Sequence, residues 1–350
     1  MFRLSVRDLQ FRALRFAITA LATAVVFSIV LVMAGLSTQF HTETKEAIEK
    51  FGGDAWVVED GDAGPFTGVF SIPTSFAAEL DALDATEASP LVLTLLTLDL
   101  DRADQIARVV GADPDGLGFP EVTAGRTIEG PDEVVVASSS AVAIGDDVVI
   151  TGTEFEVVGL VEGMTMAGGI PVLFIDLAES QDLFFSGEPI ASALIVQGEI
   201  PPLPPGYKAM SLAQTREDTL RPLNPTMTSL DYMTILLWIA GTALMGAVVY
   251  VSAIERLRDF AVVKALGGST GRLLGGVVLQ SVLVAILAAA AGVGLSFVVT
   301  PNFPFLIKIP QIAYVQLFAL AVGAGVFASM GGVRRAVKVD PVMAFSAAGR

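Results

Sequence analysis

The sequence predicts an α-helical integral membrane protein, with four transmembrane helices and an α/β extracytoplasmic domain inserted between the first and the second. Three observations predict this. Hydrophobic residues make up 53% of the 350, and the mean hydropathy of +0.67 is too high for an ordinary globule. Four long runs lack Asp, Glu, His, Lys and Arg altogether. The charged residues outside those runs are sorted by sign along the chain.

A spanning helix needs about 20 mostly apolar residues to cross roughly 30 Å of hydrocarbon. The runs that satisfy this are residues 16–40, 232–254, 273–300 and 309–333. After Arg272 the uncharged run continues to Ile307, but Pro301 and Pro304 interrupt it, because proline has no N–H and its ring clashes with the preceding turn. The third span therefore ends near Thr300, leaving residues 301–308 as a short turn. The first run is longer than the roughly 7–15 apolar residues of a signal peptide, so an uncleaved anchor is expected.

Positive residues beside spanning helices are retained in the cytoplasm. Arg3, Arg7, Arg12 and Arg15 precede the first span; Arg256, Arg258, Lys264 and Arg272 lie between the second and third; Arg334, Arg335 and Lys338 follow the fourth. Segments 1–15, 255–272 and 334–350 are thus expected to be cytoplasmic. Residues 41–231 hold 33 of the 37 acidic residues and 8 of the 21 basic ones, a net of −25 against +9 for the remainder. Such an acidic surface argues against nucleic acid as a partner.

Within 41–231, turn-bounded apolar runs predict strands at 55–58, 92–98, 134–137, 147–150, 154–161, 172–175 and 194–196. Thr151-Gly152-Thr153 reads as a hairpin connection, with Phe155, Val157 and Gly159 on one face of the following strand. Residues 43–51 place Ala47, Ile48 and Phe51 at helical spacing, which extends the first span outward as a stalk. Pro201, Pro202, Pro204 and Pro205 make a stiff stretch closing the domain's core, and residues 212–232 return the chain to the membrane.

Several chemistries are excluded or disfavoured. No stretch fits the P-loop, whose backbone amides and lysine cradle phosphates. Gly267-Gly268-Ser269-Thr270-Gly271 matches the nucleophile-elbow spacing, but His41, the only histidine, lies across the bilayer in this topology. A helix break followed by a Ser269 N-cap is the better reading. With no cysteine and one histidine, no thiolate nucleophile or His/Cys metal site is available. Asp99/Asp101/Asp104 and Asp146/Asp147 lack an EF-hand's spacing and read as solvated surface, and acid pairs such as Asp132/Glu133 are far commoner than glycosidase sites. Spans without ionisable groups disfavour a proton-coupled transporter or ion pump.

The informative segment is Ile254–Leu273. If helical from Glu255, it keeps Arg258 and Asp259 wet and brings Phe260, Val263 and Leu266 near one face, a stripe that a partner's groove can bury. Gly267-Gly268 supplies a helix stop. On periodicity alone, a solvated loop fits as well.

Glu255, Arg256, Arg258, Asp259, Lys264, Ala265, Leu266, Gly267 and Ser269 resemble the stretch that FtsX/MacB-type ABC permeases carry after their second span, with Asp259 where glutamate is usual. Ala124-Gly125-Arg126, Asp132–Val136, Ile144–Asp147 and Phe155–Gly159 resemble the MacB-like extracytoplasmic core domain. Val339-Asp340-Pro341-Val342-Met343-Ala344 resembles the family's C-terminal ending, with Phe345 in place of leucine.

The resemblance implies a permease, not an enzyme, in the bacterial cytoplasmic (inner) membrane, with both termini cytoplasmic. It implies a dimer, with a second copy or a paralogue, on two ABC ATPase subunits. Segment 255–272 would be the coupling helix, and ATP and Mg²⁺ would bind in the ATPase, leaving this chain without a cofactor. Only 15 residues precede the first span, which suits a permease-only arrangement. Ala288–Gly294 and Gly323–Gly325 would serve either the dimer or packing within one subunit. Transmission of motion to 41–231 would serve export or extraction of a substrate, with an extracytoplasmic protein or a lipophilic substrate as a further partner. Alternatives are FtsX-like control of a cell-wall hydrolase and a membrane-anchored receptor without an ATPase.

Overall fold

The computed structural model describes residues 13–82, 86–100, 103–140, 142–255, 270–302 and 307–337. The chain divides into two compact units, one of residues 1–38 with 227–350 and the other of 39–226.

The first unit is helical. Helix α1 spans Ala13–Lys50, its last turns belonging to the second unit. Phe27 and Leu31 of α1 pack with Ala285, Ala288 and Ala289 of a helix over Thr270–Val299 and with Ala313, Leu317, Ala321 and Ala324 of one over Gln311–Val337. Small residues set how closely these helices approach. A Cβ at Gly292 would lie 2.9 Å from that of Phe27, and one at Gly325 would lie 3.1 Å from the Ser281 carbonyl oxygen. Ala288, Ala289, Gly292, Ala324 and Gly325 are therefore used for packing within the chain, whereas Gly294 and Gly323 face open space.

Among the described residues, three helices are long and apolar enough to cross a membrane, and Gln311–Phe327 is a shorter apolar stretch. Their outward residues, such as Ile18, Leu21, Leu236, Ile239, Leu287, Phe297 and Val315, are large, apolar and exposed. Exposed apolar surface on this scale calls for lipid or a protein partner.

The second unit is α/β. Its strands are β1 (Ala55–Glu59), β2 (Ile72–Pro73), β3 (Thr86–Leu100), β4 (Ala103–Ala112), β5 (Ala124–Gly125), β6 (Glu133–Ala137), β7 (Asp147–Ile150), β8 (Thr153–Val161), β9 (Thr165–Met166), β10 (Ile170–Asp176), β11 (Ile190–Ala191), β12 (Ala193–Gly198) and β13 (Tyr207–Ser211). The main sheet runs β13-β1-β12-β3-β4-β10-β6-β8-β5, with β7 on β8 and β9 on β10, while β2 and β11 pair separately. Helix α2 covers Thr74–Asp81, α3 Leu177–Phe185 and α4 Leu212–Leu220. A 3₁₀ turn, Arg221–Leu223, leads into α5 (Asn224–Glu255), followed by α6 (Thr270–Val299) and α7 (Gln311–Val337).

β3 changes partner midway. Residues 86–91 pair with β12 and residues 92–100 with β4, both antiparallel. β10 is parallel to β4, and β6 to β8. Such strands are buried on both faces, which accounts for the unbroken apolar run of β10. Val172 and Phe174 enter one core, while Leu173 and Ile175 enter the other.

All seven expected strands form, 147–150 as expected and the others longer, most of all 92–98, which is part of Thr86–Leu100. The hairpin at Thr151-Gly152 forms as well, Ile150 pairing with Thr153. Thr151 (φ 53°) and Gly152 (φ 91°) are both left-handed, as a two-residue hairpin turn of this twist requires. No atom would crowd a Cβ at Gly152, so Gly152→Ala is expected to cost only backbone strain, about 1 kcal/mol, seen as a small drop in the thermal unfolding midpoint.

Two expectations are corrected by register. Gly159 does not share a face with Phe155 and Val157, because β8 carries a bulge: Val134 pairs with Val157, but Val135 pairs with Gly159. The extra residue, Val158, inverts the alternation beyond it, so Val161, which would otherwise follow Phe155 and Val157, joins Val158 in the opposite core. The proline stretch does not close the domain either, since the chain re-enters the sheet as β13, antiparallel to β1.

The last turns of α1 are part of the folded domain. Ala47, Ile48 and Phe51 are buried in its larger core with Trp56, Phe66 and Phe174. Phe51 meets Trp56 edge-on at 5.2 Å between ring centroids.

Candidate functional site

The segment singled out by sequence begins at the end of α5. Helix α5 is described to Glu255 and α6 from Thr270, so the expected Ser269 cap falls in the segment between them. Arg256, Arg258, Asp259, Phe260, Val263, Lys264, Ala265, Leu266, Gly267 and Ser269 lie outside the described residues. The two helices that flank the segment are both apolar enough to span lipid.

Among the described residues no group of three metal-ligating side chains converges. A cleft of about 570 Å³ opens where the parallel strands β4 and β10 end, lined by Asp113, Asp115, Thr127, Glu129, Asp176 and Glu179 among others. Its polar groups are largely structural. Asp176 caps α3 by accepting from the Ala178 N–H, and Glu179 Oε1 accepts from the Asp132 N–H at 2.6 Å. Burial, reinforced by the neighbouring Asp132, Asp176 and Glu133, raises the Glu179 carboxyl above its ordinary value.

Beside the cleft, the two Arg126 guanidinium nitrogens reach Glu133 at 2.7 and 2.5 Å, and the Glu129 and Gly130 N–H groups donate to Glu133 Oε2. Arg126 foremost, then those two amides, lower the Glu133 carboxyl from 4.5 to about 2 despite a partly opposing effect of burial. A carboxyl lowered on folding stabilises the fold above its unfolded value, and that contribution is lost as pH falls from about 4.5 to about 2. Glu133→Gln is therefore expected to lower the thermal midpoint at pH 7 and to leave it progressively less changed as the pH is taken down toward 2.

Sequence reasoning missed a third cluster. Asp218, in the last turn of α4, has a fully buried side chain. Its Oδ2 accepts from the Thr67 hydroxyl at 2.5 Å, and its Oδ1 lies 3.2 Å from Arg221 Nη2. Thr67 Oγ1 in turn accepts from the Gly64 N–H, and Arg221 Nη1 donates to the Asp62 carbonyl at 2.5 Å. Next in the same loop, Phe66 packs between Phe51 and Trp56.

Arg108 in β4 lies 5.1 Å from the Phe66 ring centroid and donates to the Phe66 carbonyl at 3.3 Å. It is 8% exposed, and burial lowers its guanidinium to about 10. Among the described residues it has no carboxylate partner. The ring face compensates part of that missing charge. The available signal was a single arginine within the otherwise uncharged, apolar stretch 106–112.

Residues 16–199 match the family model for the MacB-like periplasmic core domain, and residues 232–341 match that for the FtsX-like permease C-terminal region. An uncharacterized ABC transporter permease of Mycobacterium tuberculosis is 37% identical over 347 residues, covering 97% of this chain and 98% of its own. A second from the same organism is 36% identical over 342 residues, with the same coverages. The solved periplasmic region of MacB from Actinobacillus actinomycetemcomitans aligns with 49% of this chain and 94% of its own, at 13% identity and a TM-score of 0.36. Two domain models that follow one another along the chain, and near full-length relatives, give one conclusion: the chain belongs to the FtsX/MacB-type family of ABC transporter permeases.

Proposed function

We propose that this chain is a permease subunit that carries ATPase-driven motion across the membrane to its extracytoplasmic domain, for export or extraction of a substrate. It crosses the bacterial cytoplasmic membrane four times, with both termini in the cytoplasm. Two copies of an ABC ATPase, holding ATP and Mg²⁺, sit against segment 255–272 of a permease dimer. Nucleotide-driven closure presses on Phe260, Val263 and Leu266 and their charged flanks, and α1 and α5 carry the displacement outward.

One observation carries the reading: the Glu255-Arg256…Lys264-Ala265-Leu266-Gly267 motif lies between two lipid-length apolar helices, in a chain with no P-loop of its own. The test uses the absence of native cysteine. In whole cells a cysteine placed at Asp115 is expected to react with an impermeant thiol reagent, and one at Val262 only after the membrane is opened. Purification of the tagged chain is expected to recover an ATPase whose gene encodes a P-loop. Reaction of the Val262 cysteine in intact cells would overturn the assignment.

A further inference from the structure

The loop Asp62–Thr67 touches three parts of the outer domain: α4, which continues directly from the β13 strand paired with β1, the Phe51–Trp56 stretch, and β4. On one side α4 and the turn after it hold the loop through Thr67 Oγ1 to Asp218, and through Arg221 to Asp62. A Cβ at Gly64 would overlap the Asp218 carboxylate, so the close approach depends on glycine there. On the other side Phe66 reaches Phe51, which directly follows α1, Trp56 of β1 and Arg108 of β4. The first contacts belong to the segment that continues into α5, the second to the segment that continues from α1.

We propose that this loop is the joint through which the α4–α5 connection moves the sheet, with Thr67 and Asp218 as its positioning residues. The proposal rests on the mechanical reading given above. The buried carboxylate makes the contact stiff: Oδ2 accepts from Thr67, while Oδ1 lies 3.2 Å from Arg221 Nη2 without a hydrogen bond, so breaking the Thr67 link leaves the carboxylate in a site closed to water with no hydrogen-bond donor. Arg108 completes the path. Its one hydrogen bond to the loop's backbone and its contact with the Phe66 ring pass a displacement of the loop to the strand at the sheet's centre.

The experiment is hydrogen–deuterium exchange on the permease in complex with its ATPase, nucleotide-free and trapped with Mg-ATP and vanadate. In the wild type, trapping is expected to change exchange at least twofold in residues 212–220, 62–70 and 105–112 together. In Thr67→Val the response is expected to persist in 212–220 and to vanish from 62–70 and 105–112. Thr67→Ser, which keeps the hydroxyl, is expected to restore it. Asp218→Asn, similar in shape, tests the same link from the other end should Thr67→Val fail to fold. A response in 62–70 that survives both Thr67→Val and Asp218→Asn would overturn the joint and leave the mechanical reading standing. A wild-type complex with no nucleotide-dependent change anywhere in 39–226 would overturn both.

Discussion

Leu266→Asp, and equally Phe260→Asp, is expected to abolish recovery of the ATPase with the purified permease while the permease itself still inserts in the membrane. The physical reason is a double loss. An apolar anchor seated in a partner's groove is worth about 2 kcal/mol or more on truncation. Replacing it with aspartate also drives an unpaired carboxylate into the desolvated centre of the contact. About 2.7 kcal/mol is a hundredfold in affinity, so the complex should not survive purification. Insertion is governed by the apolar spans, and neither residue lies in one. A pull-down measures the first outcome and the abundance of the chain in the membrane fraction measures the second. Undiminished ATPase recovery would remove segment 255–272 from the interface.

Phe51→Ala is expected to have the largest effect on the fold of the extracytoplasmic domain. The ring is 1% exposed and meets Trp56, Phe66 and Phe174 with centroids between 5.2 and 5.9 Å. Truncating a buried phenylalanine costs about 3–5 kcal/mol, against a typical domain stability of about 5–15 kcal/mol. For a domain of this size the thermal midpoint should fall by roughly 10 °C. Limited proteolysis should show new cleavage within 39–226 while the helical unit stays intact. An unshifted midpoint would mean that the core can close over the missing ring.

Much of this was legible in the sequence because the strongest physical constraints are local. A bilayer forbids charge over a long run, and three of the four uncharged runs fall on helices long and apolar enough to cross one, the fourth on the shorter apolar stretch Gln311–Phe327. A two-residue turn demands left-handed backbone, and Thr151-Gly152 supplies it. β10 could be read because a strand buried on both faces needs an unbroken apolar run. β4 was missed because Asp104, Gln105 and Arg108 interrupt its apolar pattern, and Arg108 is tolerated there only through Phe66, which lies 42 residues away. β13 was missed because an edge strand need not be apolar. The Thr67–Asp218 link joins residues 151 apart, and no periodicity or spacing encodes such a meeting. Segment 255–272, proposed here to meet the ATPase, was legible as a motif rather than as a geometry: its amphipathic pattern is short, and the resemblance gave it weight over a solvated loop.

The change of partner along β3 limits where this domain can tolerate added or missing chain. One continuous strand is shared by both halves of the sheet, so neither half can be excised and expected to fold alone. An insertion inside residues 88–96 would throw one side out of step with the other. Natural length variation should instead gather between the ends of β3 and β4 and in the irregular stretch 113–123, where extra residues leave both pairings in phase.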